Sequence, residues 1–325
     1  MALPASYTYL TADDWKARIR EADRLAVRCE LCPRWCGVNR LNHERGFCGA
    51  PGELVVSSVF PHHGEEPPIS GTGGSGTVFF TYCTLQCLFC QNYELSHNAE
   101  GSTMTPAALA ERMVGLEAQG CHNINLVTAT HFLPWVLRGL REAANRGLTV
   151  PIVYNCGGYE LAETLSLLAG IVDIYLPDMK YGDDESAGRY SAAGDYVAVN
   201  RAAIRAMFRQ VGPLLMDEAG IASRGLCIRH LVLPEGKAGT GAILEFLKST
   251  FDPQDLTISL MAQYRPLFRA AEFPEIDRLV TANEYEPLKR KFIESGFQGF
   301  YQELGEMDES FVIDFKKRKH ERLGG

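Results

Sequence analysis

Thr77 to Ser96 reads TVFFTYCTLQCLFCQNYELS, and this stretch decides how the remainder is read. Val78-Phe79-Phe80 is a short apolar run of the kind that forms a buried strand, and it delivers the chain to Cys83, Cys87 and Cys90. Their spacing is C-x3-C-x2-C, with Phe89 just ahead of the last cysteine. Cysteine thiolates hold iron–sulfur clusters, and a [4Fe–4S] cube ordinarily takes four of them. Three thiolates on one loop leave one iron without a side-chain ligand and open to a small chelating molecule. Zinc is the competing reading. A structural zinc wants four ligands, commonly from paired C-x2-C units, and His97 is the candidate fourth, beyond a full turn of polar sequence.

A second cysteine group precedes the first. Cys29-Glu-Leu-Cys32-Pro-Arg-Trp-Cys36 is completed by Cys48 within Gly46-Phe47-Cys48-Gly49. Four thiolates on two glycine- and proline-turned knuckles can close a tetrahedral metal site or hold a full cube, so zinc and an auxiliary iron–sulfur cluster both remain open. Disulfides are rare in cytosolic proteins, which makes metal the better use of the seven grouped thiols among ten cysteines. Cys121, Cys156 and Cys227 are scattered and read as small buried hydrophobes.

The bulk numbers bound the remaining classes. A chain of 325 residues, 46% hydrophobic and 22% charged, sits near globular averages and can build one large barrel-type domain. A net charge of −8 argues against non-specific nucleic-acid binding. There is no apolar run of the roughly 20 residues needed to span a bilayer and no basic-then-apolar leader, so a cytoplasmic location is expected.

Asp13 to Arg28 is amphipathic, opens on a Thr11/Asp13 cap signal and predicts a surface helix; Glu53 to Phe60 is β-rich. The following His62-His63-Gly64-Glu65-Glu66-Pro67-Pro68 supplies either ligands and acid–base groups or a polar loop ordered by prolines. Gly71-Thr-Gly73-Gly74-Ser-Gly76 matches G-x-G-x-x-G in letters, yet it precedes a strand instead of following one. A dinucleotide fingerprint is therefore rejected, and close backbone approach beside the cluster is the expected use of the glycines.

Beyond the cysteine loop, helix and strand patterns alternate: helix Pro106–Gln119, strand Asn123–Val127, helix Pro134–Asn145, strand Val150–Tyr154, helix Glu160–Leu168, strand Val172–Leu176. A helix near Tyr196–Gln210, strand Leu226–Leu233, helix Ala238–Ser249 and strand Thr257–Ala262 follow. With the cysteine-bearing strand this makes six β/α units, and regular alternation implies a parallel sheet. The fold class is α/β, a partial (β/α)6 TIM-type barrel with an N-terminal Cys-rich metal-binding extension. The expected division is 1–70 for the extension, 71–305 for the barrel and 306–325 for a tail whose basic run, Lys316 to Arg322, is read as solvated. Gly296 to Glu303, short and aromatic, is expected to close the barrel side.

C-x3-C-x2-C with an aromatic before its third cysteine resembles the radical S-adenosylmethionine (radical SAM) superfamily. The wording GSGTVFFTYCTLQCLFCQNYELS, together with the C-x-L-C-P-x-x-C-G beginning, is similar to the pyruvate formate-lyase activating enzyme-like branch called PflX, over about residues 29 to 305. The resemblance implies a [4Fe–4S] cluster on Cys83, Cys87 and Cys90 whose open iron binds SAM, and an oxidoreductase that makes a 5′-deoxyadenosyl radical for hydrogen-atom abstraction. It supports the second site on Cys29, Cys32, Cys36 and Cys48 without choosing its metal.

In parallel barrels chemistry collects at the C-terminal strand ends. By resemblance, Asp178-Met179-Lys180 is a D-x-K motif in which Lys180 pairs with the SAM carboxylate and Asp178 helps hold a monovalent cation. Arg229, in RHLVLP, resembles an arginine that contacts SAM or substrate. Asn155, Gly157 and Gly158 stand where relatives carry a D-T-N-G-like turn, with Asn155 replacing the aspartate; His131, in Thr128-Ala129-Thr130-His131, stands where relatives bind the SAM amino group. Asn92 follows the cluster directly. Activation of a glycyl-radical enzyme is the function implied, with a protein or peptide substrate and a reductant such as flavodoxin or ferredoxin. Modification of a peptide or small molecule, and a non-catalytic iron–sulfur or zinc scaffold, are the alternatives.

Overall fold

The computed structural model describes residues 4–305; the basic run Lys316 to Arg322 and the tail expected at 306–325 lie outside them. Helix α1 (Ala12–Val27) starts on a Thr11/Asp14 capping box and buries Trp15, Ile19, Ala22 and Leu25. The cysteine knuckles follow, then β1 (Val55–His62), the one-turn α2 (Pro67–Ser70) and β2 (Ser75–Phe80). The cysteine loop leads into α3 (Tyr93–Ser96), β3 (Ser102–Thr103) and α4 (Pro106–Ala118). Regular alternation then runs through β4 (Ile124–Val127), α5 (Leu133–Asn145), β5 (Ile152–Cys156), α6 (Ala162–Ser166) and β6 (Ile174–Pro177). Two helices, α7 (Asp184–Ser191) and α8 (Tyr196–Val211), precede the β7 (Leu215–Met216) and β8 (Ala222–Leu231) hairpin. The series closes with α9 (Thr240–Thr250), β9 (Thr257–Met261), α10 (Ala282–Glu294) and β10 (Gln298–Tyr301).

Strands β2, β4, β5, β6, β8, β9 and β10 pair in parallel in that order. The six expected β/α units are all present, and β10 adds a seventh parallel strand at one edge. At the other edge β1 pairs antiparallel with β2 and with β3. Among the described residues no pairing joins β10 to β1 or β3, so the barrel is partial and open on one side.

Side-chain alternation sorts the strands into two faces. Ile152 and Tyr154 of β5 join the large core beneath the helices. Val153 points the other way and meets Ile174 and Leu176 of β6, Cys227 of β8 and Ile69 of α2. Helix α2 is thus a plug: its Ile69, fully buried, fills the barrel interior, a burial worth roughly 2–3 kcal/mol. The segment read either as ligands and acid–base groups or as a proline-ordered loop is part of the barrel floor, and its carboxylates follow the plug inward.

The glycines of residues 71–76 do permit close approach, but at the opposite end of β2 from the cysteines. A Cβ on Gly73 would stand 2.1 Å from the carbonyl oxygen of Gly120. The expectation that they serve the cluster loop is corrected: they seat the turn after α4 against the strand start. Cys121, Cys156 and Cys227 are buried, as read. Among the described residues no helix is long and apolar enough to cross a membrane.

Candidate functional site: a thiol-lined cavity at the barrel mouth

β2 ends in a loop that curls tightly enough to need left-handed backbone at two non-glycine residues, Tyr82 (φ 71°) and Gln86 (φ 54°). Such conformations persist only where surrounding contacts impose them. Here the Leu88 N–H donates to Tyr190 O at 2.8 Å, and the Arg269 N–H donates to Leu88 O at 2.9 Å. The result turns Cys83, Cys87 and Cys90 toward one cavity of about 240 Å³ at the strand C-termini.

Each thiol has a donor aimed at its sulfur. The Leu85 N–H reaches Cys83 Sγ (3.4 Å), Ser191 Oγ reaches Cys87 Sγ (3.0 Å) and Ser96 Oγ reaches Cys90 Sγ (3.2 Å). Donors suit thiolates. Yet burial pushes the Cys83 thiol up to about 11 and the Cys90 thiol up to about 12. Without a positive centre both would stay protonated at neutral pH; a bound metal supplies that centre. His97 does not join the thiols. Its Nδ1 meets Ser96 Oγ at 2.8 Å, one step behind Cys90, and its ring packs on Phe268.

Opposite the thiols the cavity is charged. Asp178 takes Lys180 Nζ at 2.6 Å and Arg229 Nε at 3.0 Å, and Arg229 continues to Asn155 Oδ1 (2.5 Å) and Glu65 Oε2 (3.3 Å). Side-chain exposure falls along this row from 22% at Lys180 to 8% at Glu65, so the lysine end is the one open to the cavity. Burial would raise the Asp178 carboxyl, but Arg229 and Lys180 outweigh it and hold it below the usual range. Burial would likewise lower Lys180, and Asp178 overrides it in the other direction. Both Asp178 oxygens are engaged by cationic side chains of the chain itself, at the place where a monovalent cation was expected. Glu65 and Glu66 are pushed up by burial, with Arg229 pulling them back.

Six of the eight predicted cofactor residues line the cavity: Asn92, Asn155, Gly157, Asp178, Lys180 and Arg229. A Cβ on Gly157 would come within 2.5 Å of Leu85 Cδ1, so glycine is required where this strand end passes the cysteine loop. Tyr196 props both strand ends: its hydroxyl donates to Gly157 O (2.8 Å) and accepts the Lys180 N–H (2.9 Å). The other two are corrected. Gly158, with φ +71°, packs on the backbone: a Cβ there would sit 2.1 Å from Asp178 O. His131 is fully buried away from the cavity, its Nε2–H donating to Thr81 O at 2.8 Å. Burial lowers it to about 3, which keeps it neutral. Glu65 is the residue the cofactor reading missed. Its signal was present in His62-His63-Gly64-Glu65-Glu66, but only the plug shows that it turns inward.

The second cysteine group lies outside the barrel. Its knuckles are turned by Trp35 (φ 45°), Gly37 (φ 68°) and Gly49 (φ 73°). Cys36 Sγ accepts the Phe47 N–H at 3.2 Å, and Arg40 Nη1 donates to Cys48 Sγ at 3.5 Å. Burial raises the Cys29 thiol, and Cys36 and Cys48 add to it. Arg34 ties the knuckle to the first loop, donating to Thr84 O (2.8 Å), Leu85 O (3.3 Å) and Ser191 O (2.9 Å). Gln86 Nε2 returns the contact by donating to Phe47 O at 3.1 Å. Among the described residues no three Cys, His, Asp or Glu side chains are gathered closely enough to hold a single metal ion as they stand. A cube sets its own irons and sulfides between the thiolates and so spaces them more widely than a lone zinc does.

A partial β/α barrel with a thiol-lined cavity at its strand C-termini is thus the class that fold and site define. No family model matches the chain. It is 31% identical over 277 residues to the uncharacterized protein MJ0674 of Methanocaldococcus jannaschii, covering 83% of this chain and 75% of that one, and it belongs to that protein's family. Solved structures it is similar to include HydG, a maturase of the [FeFe]-hydrogenase (TM-score 0.48, 12% identity, 94% of this chain and 67% of that one). Others are methylornithine synthase, PylB (0.47, 13%, 90% and 72%), and a radical SAM methyltransferase from Sphaerobacter thermophilus (0.45, 12%, 70% and 65%).

Proposed function

We propose that this chain is a radical SAM enzyme of the oxidoreductase class, with a [4Fe–4S] cluster on Cys83, Cys87 and Cys90. One observation carries the reading: three thiols with donors at their sulfurs face, across one cavity, a lysine and an arginine held by a shared carboxylate. The chemistry such a cluster supplies when bound is one-electron cleavage of SAM to methionine and a 5′-deoxyadenosyl radical that takes a hydrogen atom from substrate.

The chain's own residues do the placing. Lys180, at the open end of the charged row, receives the carboxylate of the amino acid portion, and Arg229 stands behind it. Asp178 keeps both cations fixed in direction, so little side-chain freedom is lost when a ligand arrives. Asn92 and the Gly157 backbone border the same space, and a monovalent cation beside Asp178 would have to displace one of its two partners. Neutral His131 supports the loop from behind by holding Thr81. The second group, Cys29, Cys32, Cys36 and Cys48, is proposed as a second metal site, holding zinc or an auxiliary iron–sulfur cluster. A glycyl-radical enzyme or another peptide is the substrate class carried forward, flavodoxin or ferredoxin the reductant, and the cytoplasm the setting.

The test is anaerobic reconstitution with iron and sulfide, reduction, and an assay for 5′-deoxyadenosine. Product from the native chain and none from Cys87→Ala supports the reading; spectra of the reduced protein indifferent to SAM overturn it.

A further inference from the structure

The surface around the outer thiol group differs from the rest of the chain. Trp35 is 56% exposed, Leu41 41% and Phe47 39%. Residues 28 to 48 carry four arginines and two glutamates within a chain of net charge −8; Arg40 is fully buried, which leaves Arg28, Arg34 and Arg45 toward the surface. The glutamates are engaged locally: Glu30 faces Arg28 at 3.8 Å, and Glu44 accepts the Asn39 N–H. Arg45 is exposed beside Phe47, and the Arg34 guanidinium lies 3.8 Å over the Phe47 ring. Between these aromatics sits Cys36, the one thiol of its group that is only partly buried. Beneath them, Arg34 donates to Thr84 O and Leu85 O of the loop that carries Cys83 and Cys87, and Gln86 of that loop donates back to Phe47 O.

We infer that this face docks a small acidic electron-carrier protein, and that electrons enter the chain beside Cys36. The inference rests on the reading of Cys83, Cys87 and Cys90 as a reducible cluster. In the step the carrier loses one electron and the cluster gains it; no bond is made or broken. Exposed aromatics flanked by arginine, here Arg34 and Arg45, are what such an interface core uses. Local positive charge on an acidic chain steers an acidic partner here, whereas a second copy would bring two positive faces together. The route to the inner thiols runs through the Arg34–Leu85 and Gln86–Phe47 hydrogen bonds whichever metal the outer thiols hold.

The experiment uses the reconstituted full chain and a reduced acidic [2Fe–2S] ferredoxin, with cluster bleaching followed by stopped flow. Trp35→Ser and Arg45→Glu are each expected to slow reduction by the ferredoxin about tenfold, and Arg45→Glu also to flatten its dependence on salt, while dithionite reduces both as it does the native chain. A ferredoxin rate unchanged in both variants overturns the inference and leaves the cluster reading standing. So does a native dimer that Trp35→Ser dissolves, since the face then belongs to a second copy. Failure of the native chain to assemble a reducible cluster brings down both.

Discussion

Two groups of cysteines in one chain have been put in opposite surroundings. The inner three stand at the barrel mouth, facing Lys180, Arg229 and Asp178 across a cavity. The outer four sit on knuckles beside exposed Trp35, Leu41 and Phe47, with Arg40 against Cys48. Thiolate chemistry is the same in both; what differs is what stands opposite. The inner group can present an open coordination position to a ligand that the cavity orients. Under the proposed reading the outer group offers four thiols for four positions, three of them buried and Cys36 partly exposed. Similar ligands thus take different work from their neighbours.

That contrast can be broken by mutation. Cys87→Ala is expected to abolish 5′-deoxyadenosine formation and remove one cube's worth of iron, whereas Cys48→Ala leaves the inner site assembled; iron analysis with product assays distinguishes them. Loss of both sites in each variant would erase the distinction. Lys180→Ala should weaken SAM binding about 10- to 100-fold, the size of a lost charge-assisted hydrogen bond. Equilibrium binding measures it, and an unchanged affinity returns Lys180 to a purely internal ion pair with Asp178.

The bridges between the groups come next. Arg34→Ala removes donors from Thr84, Leu85 and Ser191 carbonyls and is expected to cost about 1–3 kcal/mol in denaturant unfolding, with Arg34→Lys recovering only part of it. His131 belongs to the second bridge: its carbonyl accepts from Arg40, which also meets Cys48, while its ring holds Thr81. Burial lowers His131 to about 3 and His230 to about 4, so the folded state binds fewer protons than the unfolded one below the ordinary histidine value. Their effect on stability is absent at pH 8 and sets in as pH falls below about 6.5, at up to about 1.4 kcal/mol lost per pH unit for each histidine. Unfolding midpoints at pH 7.5 and 5.0 report the slope, and His131→Asn should reduce it.

Much of the architecture was legible because its signals are local. The apolar run before Cys83 and the regular return of strand and helix patterns place six β/α units, and β5 is displaced from its expected range by only two residues. Helix α10 is harder to read because Pro287 interrupts it, although Thr281 and Glu284 form a capping box at its start. His131 shows the other limit. A histidine just beyond a strand end looks like a rim ligand, but the turn at Thr128 (φ 60°) carries it behind the loop. Glu65 stands in the sequence between a ligand or acid–base role and a polar loop, and only the packing of Ile69 into the barrel shows that it turns inside.

The sequence by itself determined the thiol groups, the order of β/α units and the D-x-K strand end, since spacing and periodicity are properties of neighbouring residues. Only the tertiary structure decided which polar residues meet. The Asp178–Arg229–Asn155–Glu65 row joins four separate segments, and no local pattern records that encounter, because it is set by how the sheet curls around the plug.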